Sequence, residues 1–155
     1  ALRSATLMHH PKFSQPFHVY KDASVGAIGG ALMQKQEEQM QPIAFIARKM
    51  TSAEMNYITT EQELLALVYC FQKWRCYLDG SETIVHSDHE PLTWLQTQKT
   101  PSRRQARWLE YLSRFQYQIL YVRGDENIVA DALSRMLSVP EEAEEEMWPP
   151  NSAQS

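Results

Sequence analysis

The sequence predicts an α/β domain built on a mixed five-stranded sheet that is flanked by helices. Three observations lead to this fold class: a long apolar helical pattern near the middle of the chain, three closely spaced β-type segments before it, and a β-branched segment directly after it. The predicted order is three strands, a helix, a strand, two helices, a strand and a last helix. With 155 residues, 43% of them hydrophobic, the chain suits one domain with its own core.

The first three strands are predicted where β-type residues lie between polar turns, at Phe17–Asp22, Ala27–Gln34 and Pro42–Met50. Their connections are too short for a crossover, so we expect neighbouring strands to run antiparallel. Thr51 or Ser52 then begins a helical approach to the central helix.

The central helix is predicted over residues 59–80. Its apolar side chains recur at helical spacing and cover most of the circumference, so we expect its first three turns to be buried on nearly every side. We interpret Thr60 and Glu63 as a capping box and Gly80 as the C-cap. Because Glu63 lies one turn before Leu67 on the apolar stripe, its carboxylate is expected to face the packed part of the domain.

The second half of the chain completes the sheet. We expect Thr83–Ser87 to enter it beside the first strand and parallel to it. A short helix, an amphipathic helix, a fifth strand and a last helix are predicted at Pro91–Gln96, Ser102–Phe115, Tyr117–Val122 and Ile128–Leu137. The inward residues of the amphipathic helix are expected to be Ala106, Leu109, Leu112 and Phe115.

The two ends of the chain differ from its body. Residues 1–16 are interpreted as a connection from an upstream domain and residues 140–155 as a disordered acidic tail, which leaves residues 17–139 as the folded domain. The net charge of -4 comes from this tail, because positions 1–139 hold 15 basic and 14 acidic residues. The basic residues cluster at one place, which suits a polyanionic partner: Lys99, Arg103, Arg104 and Arg107.

Cysteine usage and hydropathy indicate the compartment. Cys70 and Cys76 lie on one predicted helix about 240° apart, so they cannot pair with each other, and unpaired thiols indicate a reducing environment. No apolar segment has the length of a membrane span, and the N-terminus lacks a signal-peptide pattern. We therefore expect a soluble intracellular protein with no membrane partner.

Four carboxylates are placed where they can converge. They stand at the end of the first strand, the head of the central helix, the end of the fourth strand and in the last helix: Asp22, Glu63, Asp88 and Asp131. Acidic groups packed together need protons or cations, and hard oxygen ligands favour magnesium or manganese. Two such ions support phosphodiester hydrolysis. Each residue alone also suits a turn, a cap, a helix N-terminus or a solvated face, so the hypothesis depends on all four together.

Five motifs in order carry a family resemblance: KDAS, NYITTEQELLALV, HSDHEPLTWL, RRQARWLEYLSRF and VRGDENIVADALSR. They closely resemble the ribonuclease H domain of gypsy-type (Metaviridae) LTR retrotransposon reverse transcriptases, over about Phe17 to Arg135. The resemblance implies a ribonuclease H-like fold and assigns catalytic, metal-binding roles to Asp22, Glu63, Asp88 and Asp131. It also implies an upstream reverse transcriptase and a downstream integrase in the same Pol polyprotein.

The activity implied by the resemblance is endonucleolytic hydrolysis of the RNA strand of RNA/DNA hybrids during reverse transcription. It would use two Mg²⁺ ions, with Mn²⁺ as a substitute, and leave 5′-phosphate and 3′-hydroxyl ends; the RNA 2′-hydroxyls would identify the strand. The implied location is the cytoplasm, in virus-like particles. The alternative is a non-catalytic RNase H-like domain for structure or nucleic-acid binding, which is disfavoured because all four carboxylates are present.

Three departures from the wider family stand out. The loop before Asp131 lacks the His found in many relatives, and Arg123 is the nearest candidate to replace it. The chain has no room for a full basic protrusion, so we expect Lys99, Arg103, Arg104 and Arg107 to contact phosphates, unless they form a solvated helix face. Lys21 replaces the small polar residue that is usual before Asp22, and its cation either competes with metal or points away.

Two further patterns have structural explanations. His86 and His89 flank Asp88, but a structural zinc site would need a fourth ligand, which disfavours zinc. Trp94 and Trp108 are interpreted as packing residues rather than as platforms for bases.

Overall fold

β1, the first strand of the chain, lies at the centre of a mixed sheet. The computed structural model describes residues 10–89 and 101–121. In these ranges the sheet has five strands in the order β3-β2-β1-β4-β5, and the first three are antiparallel, as predicted. The strands are β1 (Phe17–Ser24), β2 (Ala27–Gln36), β3 (Gln39–Lys49), β4 (Glu82–Ser87) and β5 (Gln116–Tyr121).

Four helices lie within the described ranges: α1 (Ser52–Met55), α2 (Thr59–Lys73), α3 (Arg75–Leu78) and α4 (Arg103–Leu112). None of them is both long enough and apolar enough to cross a membrane. Lys99, Arg123, Asp131, Trp94 and the helices predicted at residues 91–96 and 128–137 fall outside the described residues.

The pairing of β1 with β4 brings two strand ends together. The strands are parallel, as the sequence order predicts, and Tyr20 is paired with His86. Two residues beyond this pair lie Asp22 and Asp88. The backbone register therefore places both carboxylates at the same edge of the sheet, where parallel strands end side by side.

Helix α2 forms the centre of the hydrophobic core. Every residue from Leu64 to Phe71 is buried, which confirms the prediction of a helix covered on nearly all sides. The helix packs on β1 and β2 and also contacts α4. Its approach to β2 depends on Gly30, because a β-carbon at this position would overlap the Sγ of Cys70. Close packing at this point sets the height of α2 above β1.

The two hairpins turn differently from each other. Val25 and Gly26 connect β1 to β2, and Gly26 has a positive φ of 83°. Glu37 and Glu38 connect β2 to β3 with φ of 54° and 66°, the left-handed values typical of a tight two-residue hairpin. The polar segment predicted as a longer turn is therefore mostly strand.

Strand β3 is an edge strand with an irregularity in its middle. Leu32 pairs with Ala44 and Met33 with Pro42, so Ile43 is an extra residue that bulges from the ladder. An edge position accommodates Pro42, because proline offers no N–H to a further strand.

The central helix differs from its prediction at both ends. Thr60 is already the second residue of α2 and Ile58 is the N-cap, without a side-chain cap, so the predicted Thr60–Glu63 capping box is wrong. The predicted single helix is also interrupted: Trp74, with φ of -107° and ψ of 24°, separates α2 from α3 while its ring is buried. Gly80 follows α3 with a positive φ of 81°, in line with a terminating glycine.

Helix α4 presents most of its predicted inward face and differs from the prediction in its first turn. Ala106 is exposed, so its predicted inward position is wrong, whereas Leu112 and Phe115 are buried as expected. Gln105 takes the inward place because it closes a capping box with Ser102, whose side chain accepts from the Gln105 N–H. This box fixes the first turn and with it the face that meets α2.

Candidate metal centre

Three carboxylates come together at the end of the sheet. Asp22, Glu63 and Asp88 each offer an oxygen, and these oxygens lie within 4.8 Å of one another. Asp22 and Asp88 are partly exposed, while Glu63 is buried. Three of the four carboxylates predicted from the sequence thus meet, and Asp131 lies outside the described residues.

Different elements hold the three carboxylates. Asp22 lies near the end of β1, and Asp88 follows the last residue of β4. The buried hydroxyl of Ser87 accepts the His89 backbone N–H at 3.1 Å, which forms a turn around Asp88. Glu63 begins the second turn of α2 and reaches the cluster from the helix. The site therefore depends on the docking of α2 over the ends of β1 and β4.

Burial and neighbouring negative charges both disfavour the ionised form of Asp22. The pKa of Asp22 is raised to about 6, chiefly by burial and then by the neighbouring carboxylates of Glu63 and Asp88. Lys21 and the Ala23 backbone N–H act in the opposite direction. A carboxyl group whose pKa is raised by like charges is one whose ionised form a bound cation would favour.

Lys21 points to the cluster rather than away from it. Its Nζ donates to Glu63 Oε1 at 2.5 Å, and no part of the lysine side chain is exposed to solvent. The lysine shares the buried positions of β1 with Phe17 and Val19. The sequence left two alternatives for this cation, and the structure places it in direct contact with one of the predicted metal ligands.

His89 lies beside the same cluster. Its Nε2 is 3.1 Å from the hydroxyl of Thr60, in the first turn of α2. Burial lowers the pKa of His89, and the nearby carboxylate of Glu63 partly opposes this. Thr60 therefore joins the head of α2 to the segment after β4, instead of capping the helix.

His86 belongs to a different environment. Its ring stacks on Tyr20 with centroids 4.3 Å apart, and its Nε2 is 2.8 Å from Nδ1 of His18. The two histidines that flank Asp88 thus have separate partners. In the described ranges the group of potential metal ligands that meets is composed of carboxylates alone.

The basic residues of α4 divide into two kinds. Arg103 and Arg107 are exposed. Arg104 instead contacts Glu61 Oε1 at 2.9 Å, and its guanidinium lies 3.9 Å from the ring centroid of Tyr57. A phosphate-binding role stays a prediction for all three arginines, and Arg104 has partners within the protein as well.

Sequence reasoning missed the contact that joins α4 to α2. The buried carboxylate of Glu61 accepts from Ser102 Oγ at 3.0 Å as well as from Arg104. Trp108 packs beside Tyr57 with ring centroids 6.0 Å apart, in agreement with a packing role. The available signal was a second glutamate, two residues before Glu63, at the start of a helix predicted to be buried on nearly every side, where a carboxylate needs a partner.

The donor set fits a hard divalent cation. All three potential ligands are carboxylates, and Mg²⁺ and Mn²⁺ prefer such oxygen donors, whereas zinc sites usually contain histidine or cysteine. The proximity of the carboxylates and the raised pKa of Asp22 are both consistent with a site that a cation would neutralise.

Comparison with known proteins agrees with this architecture. A protein-family model described as an RNase H-like domain found in reverse transcriptase matches residues 12–115. Two Drosophila melanogaster proteins are similar over most of this chain: the retrovirus-related Pol polyprotein from transposon 297 (42% identity over 130 residues, 84% of the chain) and that from transposon opus (38% over 136 residues, 87%). The chain spans 12% and 14% of their respective lengths.

A solved structure supports the fold independently. RNase H1 from the halophilic archaeon Halobacterium salinarum NRC-1 superimposes with a TM-score of 0.57 at 20% sequence identity, covering 79% of this chain and 98% of that protein. At this level of identity the likeness concerns the fold. Together with the matched family model and the gypsy-type relatives, it places the chain in the family of RNase H-like domains found in reverse transcriptases.

Proposed function

We propose that this domain is a metal-dependent endonuclease that hydrolyses the RNA strand of RNA/DNA hybrids during reverse transcription of a retrotransposon. The observation that carries the proposal is the convergence of Asp22, Glu63 and Asp88, whose oxygens lie within 4.8 Å of one another. A structural domain would gain nothing from three carboxylates held this close, because their mutual repulsion opposes folding.

The residues that would hold the metal are these three, with Asp131 as the fourth proposed ligand. Bound Mg²⁺, or Mn²⁺ in its place, would supply an activated water and charge stabilisation for the scissile phosphate, and we propose two ions. The chain itself contributes orientation: β1 and β4 place Asp22 and Asp88 side by side, and α2 brings Glu63 to them. Hydrolysis would leave 5′-phosphate and 3′-hydroxyl ends.

The RNA/DNA hybrid would lie across the edge of the sheet that carries Asp22 and Asp88. Arg103, Arg104 and Arg107 of α4 are proposed to contact phosphates, together with Lys99. Arg123 is proposed to replace the absent loop histidine. The RNA 2′-hydroxyls are the groups by which such a site distinguishes the two strands of a hybrid.

The similar Pol polyproteins support a place within a longer chain. We propose a reverse transcriptase upstream, an integrase downstream, and a cytoplasmic location in virus-like particles. Within the domain, the segment before β1 is tied to the sheet, since Gln34 donates to the carbonyls of Lys12 and Gln15. The proposed boundary between residues 16 and 17 therefore adjoins a segment that already contacts β2.

The test is cleavage of a labelled RNA/DNA hybrid with Mg²⁺ or Mn²⁺. Asp88→Asn should abolish cleavage of the RNA strand, because it removes one ligand charge at the end of β4. Asp79→Asn is the matched control, since it removes the same charge from an exposed position near Gly80 and should retain cleavage. Hybrid binding without cleavage by the unmodified domain would instead favour a structural or binding domain.

A further inference from the structure

The buried ammonium group of Lys21 adjoins the carboxylate cluster from the core side. The residue is 4% exposed and its Nζ is 2.5 Å from Glu63 Oε1. In the ladder it pairs with Gly30, whose missing side chain leaves room for Cys70 of α2. The lysine is thus enclosed between β1 and α2, next to Asp22 in sequence.

Such a burial needs a compensating charge. A buried ammonium costs several kcal/mol in desolvation unless a partner and good geometry offset it. Glu63 supplies that partner, and Glu63 is itself 6% exposed and within 4.8 Å of two further carboxylates. The contact therefore satisfies both sides: the lysine is paired, and the cluster loses one unit of its excess negative charge.

The influence of this cation extends beyond Glu63. Lys21 opposes the rise in the pKa of Asp22, and it also favours the thiolate of Cys70, whose pKa is nonetheless raised by burial. Both groups lie close enough to Lys21 to respond to its charge. The cation therefore lies beside Glu63 and near Asp22, at a position that solvent does not reach.

We propose that Lys21 is an internal counter-ion that holds Glu63 in place in the metal-free protein and weakens the binding of divalent cations by the cluster. The inference deepens the proposed function and rests on it, because it assumes that the cluster is a metal site. Lys21 is a positioning residue that determines metal affinity, not a metal ligand, because an ammonium group has no lone pair to donate.

The consequence for metal binding follows from geometry. Glu63 offers its Oε1 to Lys21, so a cation bound by the same carboxylate must share that oxygen or use the other one. A fixed positive charge beside the same carboxylate opposes the binding of a second cation by at least roughly tenfold, even at a protein dielectric of about 20. The counter-ion thus keeps the empty site folded and lowers its metal affinity.

The experiment compares three forms of the 155-residue chain: unmodified, Lys21→Met and Lys35→Met. Calorimetric titration with Mg²⁺ and with Mn²⁺ gives the dissociation constants, and urea unfolding in EDTA gives the metal-free stability. Lys35 is exposed on β2, so Lys35→Met removes the same charge from a surface position.

We expect Lys21→Met to bind Mg²⁺ about tenfold more tightly or better, and to unfold at a lower urea concentration in EDTA, with saturating Mg²⁺ restoring most of the loss. Lys35→Met should match the unmodified protein in both measurements. Equal dissociation constants for the unmodified protein and Lys21→Met would overturn the inference, and so would an equal gain in affinity for Lys35→Met.

A second variant covers the case in which Lys21→Met does not fold in EDTA. The double variant Lys21→Met/Glu63→Gln replaces the ion pair by two neutral side chains, and we expect its circular dichroism spectrum in EDTA to be that of the folded protein. An unfolded double variant would overturn the counter-ion role, because a loss of packing alone would then explain the single variant.

A failure of the proposed function gives a different experimental result from a failure of the counter-ion role. If none of the proteins bound Mg²⁺ or Mn²⁺, the metal site would be disproved along with the effect of Lys21 on affinity. The counter-ion role would still be decided by the urea midpoints in EDTA, where equal values for the unmodified protein and Lys21→Met would overturn it.

Discussion

Gly30 of β2 lies directly against the thiol of Cys70 in α2, at a point where a β-carbon would overlap the sulfur. The carbonyl oxygen of Tyr20 is a second close neighbour, 3.0 Å from the same position. Because Gly30 also pairs with Lys21, this contact controls how closely α2 approaches the strand that carries Lys21 and Asp22. The absence of a side chain at Gly30 connects core packing to the geometry of the candidate metal centre.

Gly30→Ala should therefore destabilise the protein by about 1–3 kcal/mol, because the added methyl group overpacks the core. In a Cys70→Ala background the same change should cost much less, since the sulfur is gone. Urea unfolding of the two single variants and the double variant measures this coupling. Additive effects of the two changes would show that Cys70 is not the obstacle.

Arg104 and its neighbours on α4 should respond differently to mutation. Arg104→Ala leaves the buried Glu61 with one of its two partners, so we expect a loss of about 1–3 kcal/mol in the free energy of unfolding. Arg103→Ala with Arg107→Ala should leave stability nearly unchanged, weaken hybrid binding, and reduce the salt dependence of binding by about one unit per lost phosphate contact.

Two measurements separate these effects: urea unfolding, and hybrid binding by fluorescence anisotropy over a range of salt concentrations. An unchanged salt dependence in the Arg103/Arg107 variant would show that these residues form only a solvated helix face. Unaltered stability of Arg104→Ala would show that the contact with Glu61 contributes little to the docking of α4.

Asp22 should make the metal-free protein less stable as the pH rises. Its pKa is about 6 in the folded protein, above the ordinary value of 3.8, so the folded state holds the proton more tightly than the unfolded state. The stabilising contribution is complete below about pH 4 and is lost as the pH rises through about 6. Compared with Asp22→Asn in EDTA, the unmodified protein should lose relative stability across this window. A stability difference between the two proteins that stays constant with pH would contradict the raised pKa of Asp22.

His86 should have the opposite dependence in nearly the same pH range. Burial, with a smaller effect of His18, lowers its pKa from 6.5 to about 4, so the unfolded state binds the proton more readily. Its contribution is present above about pH 6.5 and is lost as the pH falls toward 4. His86→Phe keeps an aromatic ring beside Tyr20. As the pH falls over this interval, this variant should lose less stability than the unmodified protein. Parallel stability curves would refute the prediction.

The separate variants are needed because the two groups compensate each other in the unmodified protein. Between about pH 4 and 6, deprotonation of Asp22 lowers stability while deprotonation of His86 raises it. A nearly flat stability curve for the unmodified protein is therefore compatible with both shifts. Only the difference curves for Asp22→Asn and His86→Phe resolve them.

Local patterns were sufficient to predict most of the sheet. Alternation and turn residues located β1 and β2 to within two residues, and the position of Thr83–Ser87 after a helix predicted a parallel partner for β1. Strand ends then indicated where Asp22 and Asp88 would meet. These inferences succeed because each depends on neighbouring residues and on general rules of strand connection.

Contacts between distant segments were not predictable in the same way. The pairing of Lys21 with Glu63 joins residues 42 positions apart, and that of Arg104 with Glu61 joins residues 43 apart. The interruption at Trp74 was likewise not predictable, because no proline or glycine marks it in the sequence. The capping box of Ser102 and Gln105 puts a glutamine at the inward position of the first turn of α4, which apolar periodicity does not indicate.

The bulge on β3 affects how molecules of this domain behave toward one another. An exposed strand edge is a template on which another chain can add a strand and begin aggregation. Pro42 presents no N–H at this edge, and the extra residue Ile43 disturbs the regular spacing of the remaining groups. Intermolecular sheet extension at β3 is therefore disfavoured, which helps to keep the domain from self-association along that side of the sheet.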